Sequence, residues 1–337
     1  MELEPVVMWG LSPFFPKTSK SDHHLQPFVC SVARHVTEFV LSRAGQLLDG
    51  LFMYNACDTL RNLPEILRSG LEKEGRHLPM VNIHIPMVPR LHTDALRYLR
   101  QEVKALIEKL ETSFGKSFSE KRFEESVGLY RRARKLTQQL ERKVADGRMG
   151  FKEFAGLIQG NYFRSLHGQI EVLEASREKI KKDPLTSGLD ESVGRIIVSG
   201  ILPPPSGICS AIEESGLRVA GNDIASLARS YSYTPETAAS PADYYADFYV
   251  QHHPCTTLLG SSDDRIAVLD ALIEEREARG IIFLGEKFCE YEFFEFPYLE
   301  KRFKEKGLHT LLLEFATEDR SLGALKTRIE AFSELMA

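Results

Sequence analysis

Nowhere in the 337 residues do about 18 consecutive apolar residues occur, which excludes a helical span of a bilayer. The opening Met1-Glu2-Leu3-Glu4-Pro5 has no basic region leading into an apolar core, so no export signal is read there and a cytoplasmic protein is expected. No excess of positive charge exists either. With 43 Lys+Arg against 48 Asp+Glu the net charge is −5, so neither nucleic acid nor an anionic membrane is an expected partner. Cysteine is scarce: five in all, an odd number with no CxxC or CxxxC spacing. That argues against a disulfide framework and for reduced thiols with a metal, catalytic or structural role. Walker A, GxGxxG, GxSxG and HExxH patterns are also missing. The chain is therefore not expected to be an ATPase or a nicotinamide enzyme, or to bind a nucleotide itself.

What is present is ordinary globular composition, 43% hydrophobic and 27% charged, over a length sufficient for two cores. Short apolar runs alternate with helical patterns in residues 1–90. The runs are Val6-Val7-Met8-Trp9, Leu51-Phe52-Met53-Tyr54 and Val81-Asn82-Ile83-His84-Ile85; the helices fall near 27–43 and 59–72. Such alternation predicts parallel βαβ units. From 91 to 183 strand signals vanish, and Leu96, Leu99, Val103, Leu106, Ile107 and Leu110 recur every three or four residues, which predicts helix.

Asp183-Pro184-Leu185-Thr186-Ser187-Gly188 reads as a linker. Alternation then resumes with Arg195–Ser199, Leu217–Ala220, Ile281–Leu284 and Thr310–Leu313 as strands, and helices near 207–215, 263–279, 293–306 and at the end. The expected architecture is α/β: two Rossmann-like or flavodoxin-like parallel-sheet domains, 1–90 and 190–337. A helical segment, 91–183, is expected between them, packed on the first.

In open parallel sheets, ligands gather outside the carboxyl ends of the strands. Cys57 follows the 51–54 strand and Cys289 the 281–284 strand, and each precedes a helix; Cys30 lies near a helix start. A helix N-terminus stabilises a thiolate and the negative charge of a thiolate-bound cluster. Against this, a free Cys most often behaves as a small buried hydrophobe, and separations this wide form no ligand pattern of their own. Cys209 opens a helix, and Cys255 sits in His252-His253-Pro254-Cys255; both are weaker ligand candidates. The adjacent His252 and His253 would point to opposite faces of an extended segment, so a solvated loop is expected there. Glu286, Glu290 and Glu292 flank Cys289, and Ser31 follows Cys30. Ser31 and Glu290 are the candidates for catalytic proton transfer. Lys17, Lys20, Arg34, Arg61 and Arg90 lie where phosphates could be met, although most exposed basic residues face only solvent.

Four dispersed motifs carry a resemblance. Gln26-Pro27-Phe28-Val29-Cys30-Ser31-Val32-Ala33-Arg34, Cys57-Asp58-Thr59-Leu60-Arg61-Asn62-Leu63, Lys287-Phe288-Cys289-Glu290, and Leu311–Phe315 followed by Lys326–Phe332 together resemble the 2-hydroxyacyl-CoA dehydratase / benzoyl-CoA reductase family. The likeness runs in order from about residue 6 to the end. It implies an iron–sulfur subunit with a [4Fe–4S] cluster held by Cys30, Cys57 and Cys289, leaving one iron open. It also implies an acyl-CoA thioester substrate, a homologous second subunit and a separate ATP-hydrolysing iron–sulfur activator.

The implied chemistry, either 2-hydroxyacyl-CoA dehydration or ring reduction of a benzoyl-CoA type, begins with one electron added to the thioester, giving a ketyl radical. Relatives usually carry helical sequence ahead of the first strand, so a shortened start or cover from the partner is expected. A double-cubane reductase or electron-transfer protein, using Cys209 or Cys255 as extra ligands, is the alternative. Gly221-Asn222-Asp223-Ile224-Ala225-Ser226, where larger-cluster relatives would place more thiols, has none. A non-catalytic subunit of such a pair is the third reading.

Overall fold

In the computed structural model, which describes residues 1–15, 17–88, 92–182, 193–236, 240–255, 262–316 and 322–336, six strands form two parallel sheets. In chain order the elements begin with α1 (Ser31–Leu41), β1 (Leu51–Tyr54), α2 (Asp58–Lys73), β2 (Met80–Ile83), α3 (Thr93–Phe114) and α4 (Glu120–Ala145). There follow α5 (Phe151–Asn161), α6 (Leu166–Lys182), β3 (Gly194–Gly200), α7 (Ser206–Glu214), β4 (Leu217–Ile224) and α8 (Ala228–Tyr231). The last are α9 (Pro241–Gln251), α10 (Ser262–Arg276), β5 (Gly280–Glu286), α11 (Glu290–Glu305), β6 (His309–Phe315) and α12 (Gly323–Glu334). The α/β class with parallel sheets is as expected from the alternating pattern.

Contacts divide the chain into two compact units. Unit 1 comprises residues 1–127, 235–252 and 257–261; unit 2 comprises 128–234, 253–256 and 262–337. These boundaries differ from those read in the sequence, because the helical stretch 91–183 is not one block on the first domain. Leu136, Leu140, Phe154, Ile158 and Leu173 belong to the same apolar core as Ile196 and Val198 of β3, so α4 from Gly128 onward, α5 and α6 belong to unit 2. The proposed linker at 183–188 lies outside the described residues.

Unit 1 holds the pair β1–β2, in register from Leu51 opposite Met80 to Tyr54 opposite Ile83. Its core gathers Leu11, Ala33, Val36, Val40 and Leu41 against Leu51, Leu63, Leu67 and Leu71. Val36 and Val40, four apart, and Leu63, Leu67 and Leu71, each four apart, show how α1 and α2 present one apolar stripe each. The expected strand at Val6–Trp9 does not form. Val6 and Val7 are exposed, Met8–Gly10 makes a 3-10 turn, and Met8 and Leu11 pack on the core of α1 and α2. Apolar contact takes the place of ladder bonding there.

Unit 2 orders its sheet β4-β3-β5-β6. From β3 the chain moves outward to β4 on one side, and from β5 outward to β6 on the other. The directions reverse between β3 and β5, and at such a switch point a crevice opens outside the carboxyl ends of the strands. The inner strands are apolar on both faces, as strands covered by helices must be: Ile196, Ile197, Val198, Ile281, Ile282 and Leu284 are all buried.

Candidate functional site

Cys30, Cys57 and Cys289 share one local geometry. Each is the N-cap residue of a helix of at least 11 residues: α1, α2 and α11 respectively. None of the three is in a disulfide, and all are partly buried. Cys30 and Cys57 belong to unit 1, and Cys289 to unit 2.

The loop before Cys30 is pinned from α1. Glu38 accepts the backbone N–H of Lys20 at 2.7 Å and of Ser21 at 3.0 Å, while Arg34 Nη2 donates to Thr18 and Asp22, each at 2.7 Å. Lys20 Nζ donates to the Leu41 carbonyl at 2.6 Å and pairs with Glu74. Lys20 and Arg34 therefore have protein partners, and Arg61 forms an exposed pair with Asp58 at 3.2 Å. Lys17 is exposed, and Arg90 lies outside the described residues. Ser31 is the first residue of α1 and is buried.

Cys57 follows β1 through a side-chain clamp. Asn55 donates to the Ile85 carbonyl at 3.0 Å and accepts the Ile85 N–H at 2.7 Å, extending the β1–β2 pairing past the strand ends. Cys57 Sγ then accepts the N–H of Leu60 at 3.4 Å, the first-turn donor that an N-cap residue satisfies. Burial pushes this thiol up, and the Leu60 and Thr59 N–H groups pull it back.

Cys289 ends a tight turn after β5. Its N–H donates to the Glu286 carbonyl at 3.0 Å, and Lys287 N–H donates to Phe315 O of β6 at 2.7 Å. Phe288 between them holds φ at +68° although it is not glycine, and its side chain is exposed. Glu290 is exposed at the start of α11, and Glu286 is buried at the end of β5. The carboxylate of Glu292 accepts the backbone N–H of Glu286 at 3.3 Å. Burial drives Glu292 up to about 8 against the opposing charges of Arg265 and Arg229. The aromatic run beyond is divided: Phe296 packs edge-on against Phe283 at 5.0 Å, while Phe294 and Tyr298 are exposed.

The other two cysteines sit differently. Cys209 lies within α7 in the unit 2 core, and burial pushes its thiol up to about 12. Cys255 accepts a contact from Arg229 Nη1 at 3.4 Å. Among the described residues no group of three or more His, Cys, Asp or Glu side chains is arranged to hold a metal ion. The donor types of the three helix-capping thiols nevertheless suit an iron–sulfur group, whose ligands are thiolates and whose net negative charge favours helix N-termini.

Beside the switch point, unit 2 buries a charge network that sequence reading did not find. Asp223 on β4 accepts Arg229 Nε at 2.8 Å and Arg265 Nε at 3.0 Å; Arg265 Nη2 donates to Ser199 Oγ at 2.7 Å, and Arg265 also pairs with Glu295. The signal was present in Asn222-Asp223, two polar residues inside an apolar strand.

Parallel sheets with helices define an α/β protein, and three of its cysteines head helices. A family model described as "2-hydroxyglutaryl-CoA dehydratase, D-component" matches residues 1–336, and the chain belongs to this family, the 2-hydroxyacyl-CoA dehydratase / benzoyl-CoA reductase group. It is 26% identical to the (R)-phenyllactyl-CoA dehydratase beta subunit of Clostridium sporogenes over 98% of this chain and 86% of that one. Identity to the lactoyl-CoA dehydratase beta subunit of Anaerotignum propionicum is 23%, with the same coverage. One of the benzoyl-CoA reductase subunits of Thauera aromatica is 22% identical over 93% of this chain and 81% of that one. The resemblance read from the four motifs is borne out. No described helix is long and apolar enough to cross a membrane.

Proposed function

We propose that the chain is the iron–sulfur subunit of an oxygen-sensitive enzyme performing one-electron chemistry on an acyl-CoA thioester, with Cys30, Cys57 and Cys289 as ligands of a [4Fe–4S] cluster. The observation that carries this reading is that these three thiols, of five, are each the N-cap residue of a long helix. Such a position leaves free N–H groups and the positive dipole end beside the sulfur, which favours the thiolate that binds iron. Bound there, the cluster would supply low-potential electrons and one open Lewis-acidic iron.

The chain's own contribution is positional. Asn55 and the Glu38 clamp fix the loops that carry Cys57 and Cys30, and the turn after β5 fixes Cys289. Ser31 and Glu290, adjacent to two of the ligands, are proposed to hold or move a proton at their side-chain oxygens. We read the two units as flavodoxin-like domains; the β4-β3-β5-β6 order of unit 2 supports this. A homologous second subunit and a separate ATP-hydrolysing activator complete the proposed system, in a cytoplasmic setting. The relatives are themselves named as subunits of larger enzymes, which supports a multisubunit assembly.

The test is an anaerobic assay of the chain co-purified with its second subunit, supplied with activator, ATP and reductant. Loss of water from a 2-hydroxyacyl-CoA, or reduction of an aryl-CoA, is the expected result. Failure of the pair to bind or turn over either thioester class contradicts the proposal.

A further inference from the structure

The end of β5 raises a local bonding question. Consecutive N–H groups along a strand point to opposite neighbours. Lys287 N–H goes to Phe315 on the β6 side, so Glu286 N–H faces the β3 side. There the ladder has run out: the last β3–β5 pair is Gly200 opposite Leu284. A strand-end N–H left without an acceptor in a partly buried place costs free energy. Glu292, in the first turn of α11, provides the acceptor at 3.3 Å.

Gly200 lies beside it, and there the tight approach is to the backbone of β5. A Cβ at position 200 would sit 2.7 Å from the Leu284 carbonyl oxygen and 3.4 Å from Glu292 Oε1. The segment that this contact closes is the strained one. Phe288 occupies the left-handed region, which a bulky non-glycine residue adopts only when its surroundings impose it, and its own exposed ring contributes little to holding it there. Two backbone bonds flank it, from Lys287 to Phe315 O and from Cys289 to Glu286 O. Glu292 anchors Glu286, the residue whose carbonyl closes that turn.

We propose that Glu292 is a positioning residue for Cys289: by replacing the missing β3 partner of Glu286 it holds the strained Lys287-Phe288-Cys289 turn and thereby fixes where the thiol is presented at the head of α11. This rests on the reading of Cys289 as a cluster ligand, but its test does not depend on a bound cluster.

In the full-length apo chain, reduced and oxygen-free, the iodoacetamide alkylation rate of Cys289 is followed by peptide mass spectrometry, with Cys209 in the core of the same unit as internal reference. Glu292→Ala is expected to raise the Cys289 rate about tenfold by releasing the strained turn, with Cys209 unchanged. Glu292→Gln keeps an acceptor oxygen and is expected to stay near the parent rate. An unchanged Cys289 rate in Glu292→Ala, an equal rise in Glu292→Gln, or a parallel rise at Cys209 each overturns the proposal. Full iron retained in Cys289→Ala would instead overturn the ligand reading, so the two failures are distinguishable.

Discussion

Asp223 and Arg229 form a buried two-point pair: Nε reaches Oδ1 at 2.8 Å and Nη2 reaches Oδ2 at 3.0 Å, and Nη2 also donates to the Asp223 carbonyl at 2.7 Å. Arg265 occupies the other side of the same carboxylate. Burial alone would raise the Asp223 carboxyl; the two guanidinium charges overcome it and hold it at about 2. The network ties β3, β4, α8, α10 and α11 together next to the turn that carries Cys289.

Replacing Asp223 with Asn leaves two buried guanidinium groups short of a counter-charge, and is expected to cost about 3–5 kcal/mol of stability. Urea denaturation of parent and variant at neutral pH measures this. In the parent, a carboxyl held below its unfolded value of 3.8 contributes stability that is present above about pH 4 and lost as the pH falls towards 2, about 2 kcal/mol in all. Asp223→Asn should lack that acid-side loss.

Glu141 of α4 runs the opposite way. Burial raises it from 4.5 to about 7, despite hydrogen bonding from Tyr231 and Asn222 and the charge of Arg276; Glu275 adds to the rise. The folded state therefore keeps a proton that the unfolded chain has released. The stabilising contribution is full below pH 4.5 and is lost as the pH rises through 7, about 3 kcal/mol at most. Glu141→Gln keeps a hydrogen-bonding side chain without the proton equilibrium, so its stability relative to the parent should increase between pH 5 and 7.5.

Gly200→Ala would set a Cβ 2.7 Å from a backbone oxygen and 3.0 Å from Leu284 Cβ, at the switch point. A loss of about 1–3 kcal/mol is expected from this crowding. Gly156→Ala is the control. Within α5 it meets nothing inside 4 Å, and removing glycine from a helix should stabilise by about 0.5–1 kcal/mol. Thermal unfolding of the two variants should shift in opposite directions.

Cys209→Ser puts a hydroxyl in place of a thiol that lies in the unit 2 core. A loss of about 1–3 kcal/mol is expected, with iron content unchanged. A loss of iron without loss of stability would instead give Cys209 a ligand role.

Much of this was legible in the chain itself. The apolar runs 51–54, 195–199, 217–220, 281–284 and 310–313 all fall within strands β1 and β3–β6, because runs of mainly Ile, Leu, Val, Met and Phe between turn residues are what helix-covered parallel strands require. Val6–Trp9 has the same character, but a strand needs a partner, and the core of α1 and α2 competes for its neighbours. Strand–turn–helix order put Cys57 and Cys289 between a strand and a helix; for Cys30 the pattern gave only a helix near 27–43, and its place as the N-cap of α1 came from the structure. The Asp223–Arg229–Arg265 network did not, since Arg265 is 42 residues from Asp223 and no periodicity encodes that pairing. The service Glu292 gives to Glu286 was equally hidden. It depends on where β3 stops relative to β5, which only the register reveals.

The measurement that bears most directly on the central claim is iron and acid-labile sulfide per chain after strictly oxygen-free purification, with Cys30→Ala, Cys57→Ala and Cys289→Ala beside the parent. The expected result is about four irons in the parent, the content of one cubane cluster, and loss of iron in each variant that remains folded. Iron undiminished in any of the three would contradict the assignment of that thiol, and a parent that binds none under conditions that preserve clusters would contradict the account as a whole.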